Sequence, residues 1–219
     1  MTLRLAIFDC DGTLVDSQHA IVTAMTAAFT ATDLPSPPRP TILSIVGLSL
    51  EGAMARLAPE ASSDQVAALC QHYRAFNTRL RESGQAFDPL YDGIAELIPA
   101  LSAEGWLLGI ATGKAMRGLR HVLQVHGLTE RFVTLQTADH HPSKPHPSMI
   151  EAALTETGVA PDQAVMIGDT SFDMMMAQAA GVRALGVGWG YHTPEELLEA
   201  GAQSVAMDTV ELARHIRLS

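Results

Sequence analysis

Four short stretches of this chain gather side chains that can attack, protonate or hold a charged group. Asp9-Cys10-Asp11-Gly12-Thr13 sets two carboxylates two positions apart, and Ala111-Thr112-Gly113-Lys114 offers a hydroxyl, an unhindered backbone and an ammonium. Lys144-Pro145 supplies a second ammonium, and Gly168-Asp169 with Asp173 adds two carboxylates. One carboxylate can be a nucleophile or a metal ligand while its neighbour moves protons. Each stretch alone also has an ordinary reading. The Asp pair fits a solvated turn, Lys144 a surface lysine, Thr112 the end of a strand, and Asp169 with Asp173 a helix cap and its first-turn acid.

The elements that carry these residues decide between the two readings. Leu5-Ala6-Ile7-Phe8 is a buried-strand pattern ended by Gly12, and the expected strand runs from Leu3 to Phe8. Further strands are expected at 106–111, 131–135, 164–167, 184–187 and 204–207. Helical periodicity covers 93–103, 115–126, 146–157, 172–180, 194–200 and 208–216. Alternating strands and helices imply right-handed βαβ units and an α/β fold with a parallel sheet. Residues 16–89 hold helical patterns alone: 17–29 with Ser17 as a potential cap, 42–57 interrupted near Gly47, and 64–80, after a stiff connector at Pro35–Pro40. The expected organisation is an α/β core, 1–15 plus 90–219, with an all-helical cap, 16–89, inserted after the first strand. Hinges between the two are expected at Val15–Ser17 and near Phe87–Leu90.

In a parallel sheet all strand C-termini share one edge, where ligands bind. Asp9 and Asp11 extend to the same side with Cys10 pointing away, and Thr112, Lys144, Asp169 and Asp173 converge on them. Several carboxylates in one cleft repel unless a cation joins them, and all-oxygen ligation selects a hard ion, Mg²⁺.

Taken in order, Asp9-Cys10-Asp11-Gly12-Thr13-Leu14-Val15-Asp16-Ser17, Ala111-Thr112-Gly113-Lys114, Lys144-Pro145-His146-Pro147 and Ile167-Gly168-Asp169-Thr170-Ser171-Phe172-Asp173 resemble the four motifs of the haloacid dehalogenase superfamily. The helical insertion resembles its subgroup with a small helical cap, which includes phosphoglycolate phosphatases and β-phosphoglucomutases. The resemblance implies a Rossmann-like core and a role for each position. Asp9 is the expected nucleophile, forming an aspartyl-phosphate, and Asp11 the acid and base. Thr112, Gly113, Lys144 and Thr13 are expected to hold the phosphoryl end. Mg²⁺ is expected on Asp9, Asp11, Asp169 and Asp173, with Asp11 offering its main-chain carbonyl. Gly47 and Ser49, in the segment Val46–Glu51, are expected to bring backbone N–H groups to a small acid substrate, or else to mark a helix kink.

Composition limits the partners. The 219 residues are 47% hydrophobic and 17% charged, with 14 Lys and Arg against 24 Asp and Glu, a formal charge of -10. That balance argues against nucleic acid and anionic membranes, and leaves room for a small phosphorylated metabolite held by a metal and a few cations. Two cysteines, Cys10 and Cys70, make no disulfide scaffold, and the N-terminal residues lack a signal-peptide pattern, so the expected location is cytoplasmic. No sequence feature sets an oligomeric state.

Only two lysines occur, Lys114 and Lys144, both in loops after expected strands. Lys114 fits either a substrate contact at the cap boundary or a solvated helix start. His140, His141 and His146 lack zinc spacing and read as loop histidines flanking the cleft. Gly186-Val187-Gly188-Trp189-Gly190 follows a late strand and reads as an active-site loop, not a dinucleotide site. Met174-Met175-Met176 reads as core filling. Within the resemblance, Asp11 favours phosphoryl chemistry over carbon–halogen cleavage. The absence of lysine from 16–89 removes the Schiff-base hydrolases of this fold. The expected activity is a Mg²⁺-dependent phosphatase, with 2-phosphoglycolate as the leading substrate. A sugar-phosphate mutase and a catalytically silent phosphate-binding module stand as alternatives. Arg39, Arg56, Arg74, Arg79 and Arg81 are the cap's candidate carboxylate partners.

Overall fold

The computed structural model describes residues 3–218, so Met1, Thr2 and Ser219 of the expected core segments lie outside the described residues. Six strands, β1 (Arg4–Phe8), β2 (Trp106–Thr112), β3 (Thr134–Thr137), β4 (Ala164–Gly168), β5 (Arg183–Val187) and β6 (Ser204–Ala206), form one sheet in the order β3-β2-β1-β4-β5-β6. Every pairing is parallel. The chain runs outward from β1 to β3 and then returns to the other side of β1, so the strand order reverses between β1 and β4. That is the crevice where ligands of open α/β sheets sit.

Alternation along β1 builds two cores. Ala6 and Phe8 pack with residues of α5 (Ile94–Ala103), α6 (Met116–Val125) and α10 (Thr209–Arg217). Leu5 and Ile7 pack on the other face with α7 (Ser148–Thr157), α8 (Ser171–Ala179) and α9 (Pro194–Glu199). Each fully buried large side chain contributes roughly 1.5–3 kcal/mol. Strands apolar on both faces can lie only between two helical layers. Met174 and Met176 are buried and fill the core as expected, whereas Met175 is exposed, because the middle residue of three consecutive helical positions turns away from the sheet.

Between β1 and α5 lie α1 (Gln18–Ala31), α2 (Arg39–Leu43), α3 (Leu50–Leu57) and α4 (Ser63–Glu82), with no strand among them. Ile21, Met25, Phe29, Ile42, Met54 and Leu69 give this helical layer a hydrophobic cluster of its own. The two connections to the sheet run side by side. The Asp16 N–H donates to the Pro89 carbonyl at 2.8 Å, and Val15 pairs antiparallel with Leu90. No helix among the described residues is long and apolar enough to cross a membrane.

Two local expectations fail. The run 131–135 is not one strand: Thr129–Arg131 is a 3-10 turn and β3 starts at Thr134. Phe132 is apolar because it packs edge-on against Phe8, with ring centroids 6.5 Å apart. It plugs the core from a loop. Ser17 makes no capping hydrogen bond to α1; its hydroxyl pairs instead with the Tyr191 hydroxyl at 2.9 Å.

Candidate active site

Asp9 follows β1, Thr112 ends β2 and Asp169 follows β4, so three adjacent strands deliver them to one edge. Lys144 reaches the same point from the loop after β3 and is fully buried. Its Nζ donates to Asp173 Oδ1 at 2.6 Å and lies 2.9 Å from Asp9 Oδ1. Asp173 Oδ2 accepts the Thr170 N–H at 3.1 Å and the Thr170 hydroxyl at 2.7 Å. The helix-cap reading and the site reading of Asp173 are therefore both true: one oxygen ties down the first turn of α8, the other faces Lys144. Asp169 Oδ1 accepts from the Thr13 hydroxyl at 2.8 Å, and its Oδ2 from the Tyr191 N–H at 2.9 Å.

Three carboxylates, Asp9, Asp169 and Asp173, thus bring ligand oxygens within 4.8 Å of one another, all buried. One ammonium cannot balance three negative charges. Burial and the other carboxylates push Asp169 well above the usual carboxylate range. Burial likewise pushes Asp9 up, to about 6, against the pull of Lys144 and with Asp173 adding to the rise. Burial alone would depress the Lys144 ammonium, but Asp173 and Asp9 outweigh it and hold it above its usual value. Asp9 Oδ2 has no hydrogen-bond partner although no water can reach it. An orphaned anionic oxygen of this kind is costly unless a cation or a reacting group meets it. The donor set, oxygen alone with an excess of negative charge, fits a hard divalent cation.

Glycines leave the room that this packing requires. A Cβ on Gly12, whose φ is +89°, would lie 2.2 Å from Asp169 Oδ2, and one on Gly190 would lie 2.3 Å from the same atom. The loop after β5 therefore wraps the Asp169 carboxylate, as expected of an active-site loop.

Asp11 stands apart. Its carboxylate is absent from the three-carboxylate group and pairs with Lys114 Nζ at 2.7 Å, with Asp88 4.0 Å from the same ammonium. The Asp11 side chain is engaged by Lys114, which leaves its main-chain carbonyl, the group the resemblance implies, to face a metal. Lys114 is engaged by Asp11, and its side chain remains partly exposed at the cavity. Asp9, Asp11, Thr112, Gly113 and Lys114 line one side of a cavity of about 320 Å³, whose other side is formed by residues of the helical layer.

Two expected substrate contacts lie elsewhere. Thr13 is fully buried behind Asp169 and donates to it, so it acts through that carboxylate. Ser49 caps α3 by accepting from the Gly52 N–H, and its own N–H donates to Ser143 Oγ at 2.8 Å. Gly47 does line the cavity. A Cβ on Gly113 would lie 2.4 Å from the Gly47 carbonyl and 2.5 Å from that of Leu48, so Gly113 gives passage to the 47–48 backbone as well as facing the cavity. Of the loop histidines, His141 bonds to Gln136 and Ser148, and His146 accepts from the Ser148 N–H; both brace the loop that presents Lys144. Sequence reading missed Tyr191, Ser143 and Arg117. A glycine-rich loop pointed to the neighbourhood of Tyr191, but no local pattern marks a backbone N–H that will meet a distant carboxylate.

A profile of the haloacid dehalogenase-like hydrolases matches residues 6–187. Among sequence relatives, "Probable phosphatase IndB" of Dickeya dadantii is 36% identical over 94% of this chain and 89% of its own length. A phosphoglycolate phosphatase of Pasteurella multocida is 29% identical over 86% of this chain and 87% of its own. A haloacid dehalogenase-like family hydrolase from Streptococcus pneumoniae superposes with a TM-score of 0.84 at 29% identity, covering 97% of this chain and 98% of that one.

Proposed function

The chain belongs to the haloacid dehalogenase-like hydrolases and is a phosphatase of that family, and we propose that it hydrolyses a small phosphorylated metabolite with Asp9 as nucleophile. The observation that carries this reading is Asp9 itself: fully buried, paired with Lys144 through one oxygen and with Oδ2 left without a partner. That oxygen attacks phosphorus in line and the ester P–O bond breaks. The leaving oxygen takes a proton from Asp11, whose carboxylate lies on the cavity wall beside Lys114. Water then attacks the aspartyl-phosphate, Asp11 takes the water's proton, and Asp9 is regenerated. Thr112 and the Gly113 N–H would hold the phosphoryl oxygens, a reading supported by their place on the cavity wall at the end of β2.

Asp9, Asp169, Asp173 and the Asp11 main-chain carbonyl would hold Mg²⁺, which when bound supplies charge neutralisation and polarisation of the phosphoryl group. Segments 1–15 and 90–219 form the catalytic core, and 16–89 the cap that excludes water from the cavity. The substrate assigned first is 2-phosphoglycolate, supported by the relative of that name; the location assigned is the cytoplasm.

The test is release of inorganic phosphate from a panel of phosphorylated acids, sugars and an aryl phosphate, with Mg²⁺ and then with EDTA. We expect free phosphate, lost with the chelator and restored by Mg²⁺. An isomerised ester in place of free phosphate would assign a mutase, and no turnover of any ester would assign a silent binding module.

A further inference from the structure

Beyond the carboxylate cluster, the cavity changes sign. Of the chain's fourteen Lys and Arg residues, Arg74, Arg81, Lys114 and Arg117 line it. Two of these are engaged: Arg74 pairs with Glu51, and Lys114 with Asp11. Arg81, in the last turn of α4, and Arg117, in the first turn of α6, have no carboxylate within 4.0 Å among the described residues. Arg81 Nη2 donates to Thr78 Oγ1 at 3.0 Å, while its Nε is buried with no partner at all. Burial, and then the charge of Arg117, hold the Arg81 guanidinium below its usual value. The groove outside continues past both arginines to Arg120 and His121, with Glu82 and Asp139 as its acids. Asp139 Oδ2 is occupied by the Met116 N–H.

Two guanidiniums that line one cavity without a carboxylate partner, one with an orphaned buried donor, are costly unless an anion joins them. They do so in a protein whose net charge is -10, against the overall field. They also share their cavity with Asp9, Asp11 and Thr112. A molecule that presents a phosphoryl group to Asp9 can therefore extend its far end towards them.

We propose that Arg81 and Arg117 clamp a second anionic group, carboxylate or phosphate, on the leaving-group end of the substrate. The substrate class is then a doubly anionic phosphate monoester, and this assignment rests on the phosphatase reading above. Because Arg81 comes from the helical layer and Arg117 from the sheet side, the clamp also draws the two together around an acidic substrate. Their rigid forks suit a bidentate anion, which a lysine pair would not match.

The test compares esters of similar size: 3-phosphoglycerate, a diol bisphosphate and glycerol 3-phosphate. For the wild type, kcat/KM for an acidic ester should exceed that for glycerol 3-phosphate by about 10- to 100-fold, the size expected of hydrogen bonds to a charged group. The two acidic arms show whether carboxylate or phosphate is taken. In Arg81→Met and Arg117→Met the ratio should collapse towards one, through KM more than kcat, and Arg117→Lys should keep part of it. Arg117 is exposed, so its variants keep the fold even if Arg81→Met does not. Calorimetric titration with 3-phosphonopropionate and propylphosphonate reads the clamp without turnover. Tighter binding of the acidic phosphonate, lost in the variants, would keep the clamp even if no ester were hydrolysed, the result that sinks the phosphatase reading alone. A wild type that treats acidic and uncharged tails alike, or variants that weaken both equally, would overturn it.

Discussion

At the sheet edge, Lys144 is fully buried, 2.6 Å from Asp173 and 2.9 Å from Asp9, on residues that follow strands. Across the cavity, Arg74 pairs with Glu51 in the open, and Arg81 leaves a donor unmatched on a helix end. The first arrangement is preorganised: the backbone of β1 and β4 places the charges, so little side-chain freedom is lost when a reaction needs them. The second hangs on long side chains from helices, which can adapt to the far end of a ligand. In the proposed reaction the chemistry falls to the rigid region and recognition to the adaptable one.

The strongest break in that comparison comes from Asp9→Asn. Removing the nucleophile should lower turnover by at least about 10³-fold. The amide removes one of three crowded buried charges and keeps an oxygen that Lys144 can meet. The metal-free variant should melt no lower than the wild type by calorimetry. The wild-type Asp9 carboxyl is raised from 3.8 to about 6, so the folded protein holds a proton that the unfolded chain releases between those values. Its contribution to stability is present at low pH and falls as pH rises through that window. The variant should lack the Asp9 share of this fall, while the share of Asp169 remains. A wild-type melting curve that is flat there would remove the charge-crowding account.

The two lysines sharpen the contrast. Among the described residues Lys144 is the one cation paired with the three buried carboxylates, and Lys144→Ala should cost about 3–5 kcal/mol of stability along with most activity. Lys114 is partly exposed, with side-chain accessibility of 18%. Lys114→Ala should reduce turnover by about 10- to 100-fold through Asp11 while shifting stability far less. Equal stability losses in the two variants, measured by denaturant unfolding, would contradict the difference in burial. The smallest effect is expected from Ser143→Ala, which removes the bond from the Ser49 N–H and should cost about 1 kcal/mol. KM should move more than kcat; a loss confined to kcat would put Ser143 in the chemistry.

Much of the fold is legible in the order of residues along the chain. Strand β1 announces itself by four apolar residues ended by a glycine turn, and α3 and α4 by their periodicity and the break at Gly47. The failures share one cause. Phe132 and Ser17 have strand and cap credentials locally, yet their partners, Phe8 and Tyr191, lie more than a hundred positions away. Ser49 is hidden in the same way, because Ser143 is invisible from its neighbourhood.

The sequence by itself determined which residues could act and at which strand ends they would stand, since periodicity, turn chemistry and parallel topology are local or topological properties. Tertiary structure alone decided the pairing: Asp9 with Lys144 and Asp11 with Lys114, Thr13 behind Asp169, and Arg81 opposite Arg117 without a counter-ion. The three pairings depend on separations near 3 Å between residues more than a hundred positions apart, and the arginines on two layers closing over one cavity. Strand register and core packing set such distances, and no spacing along the chain encodes them.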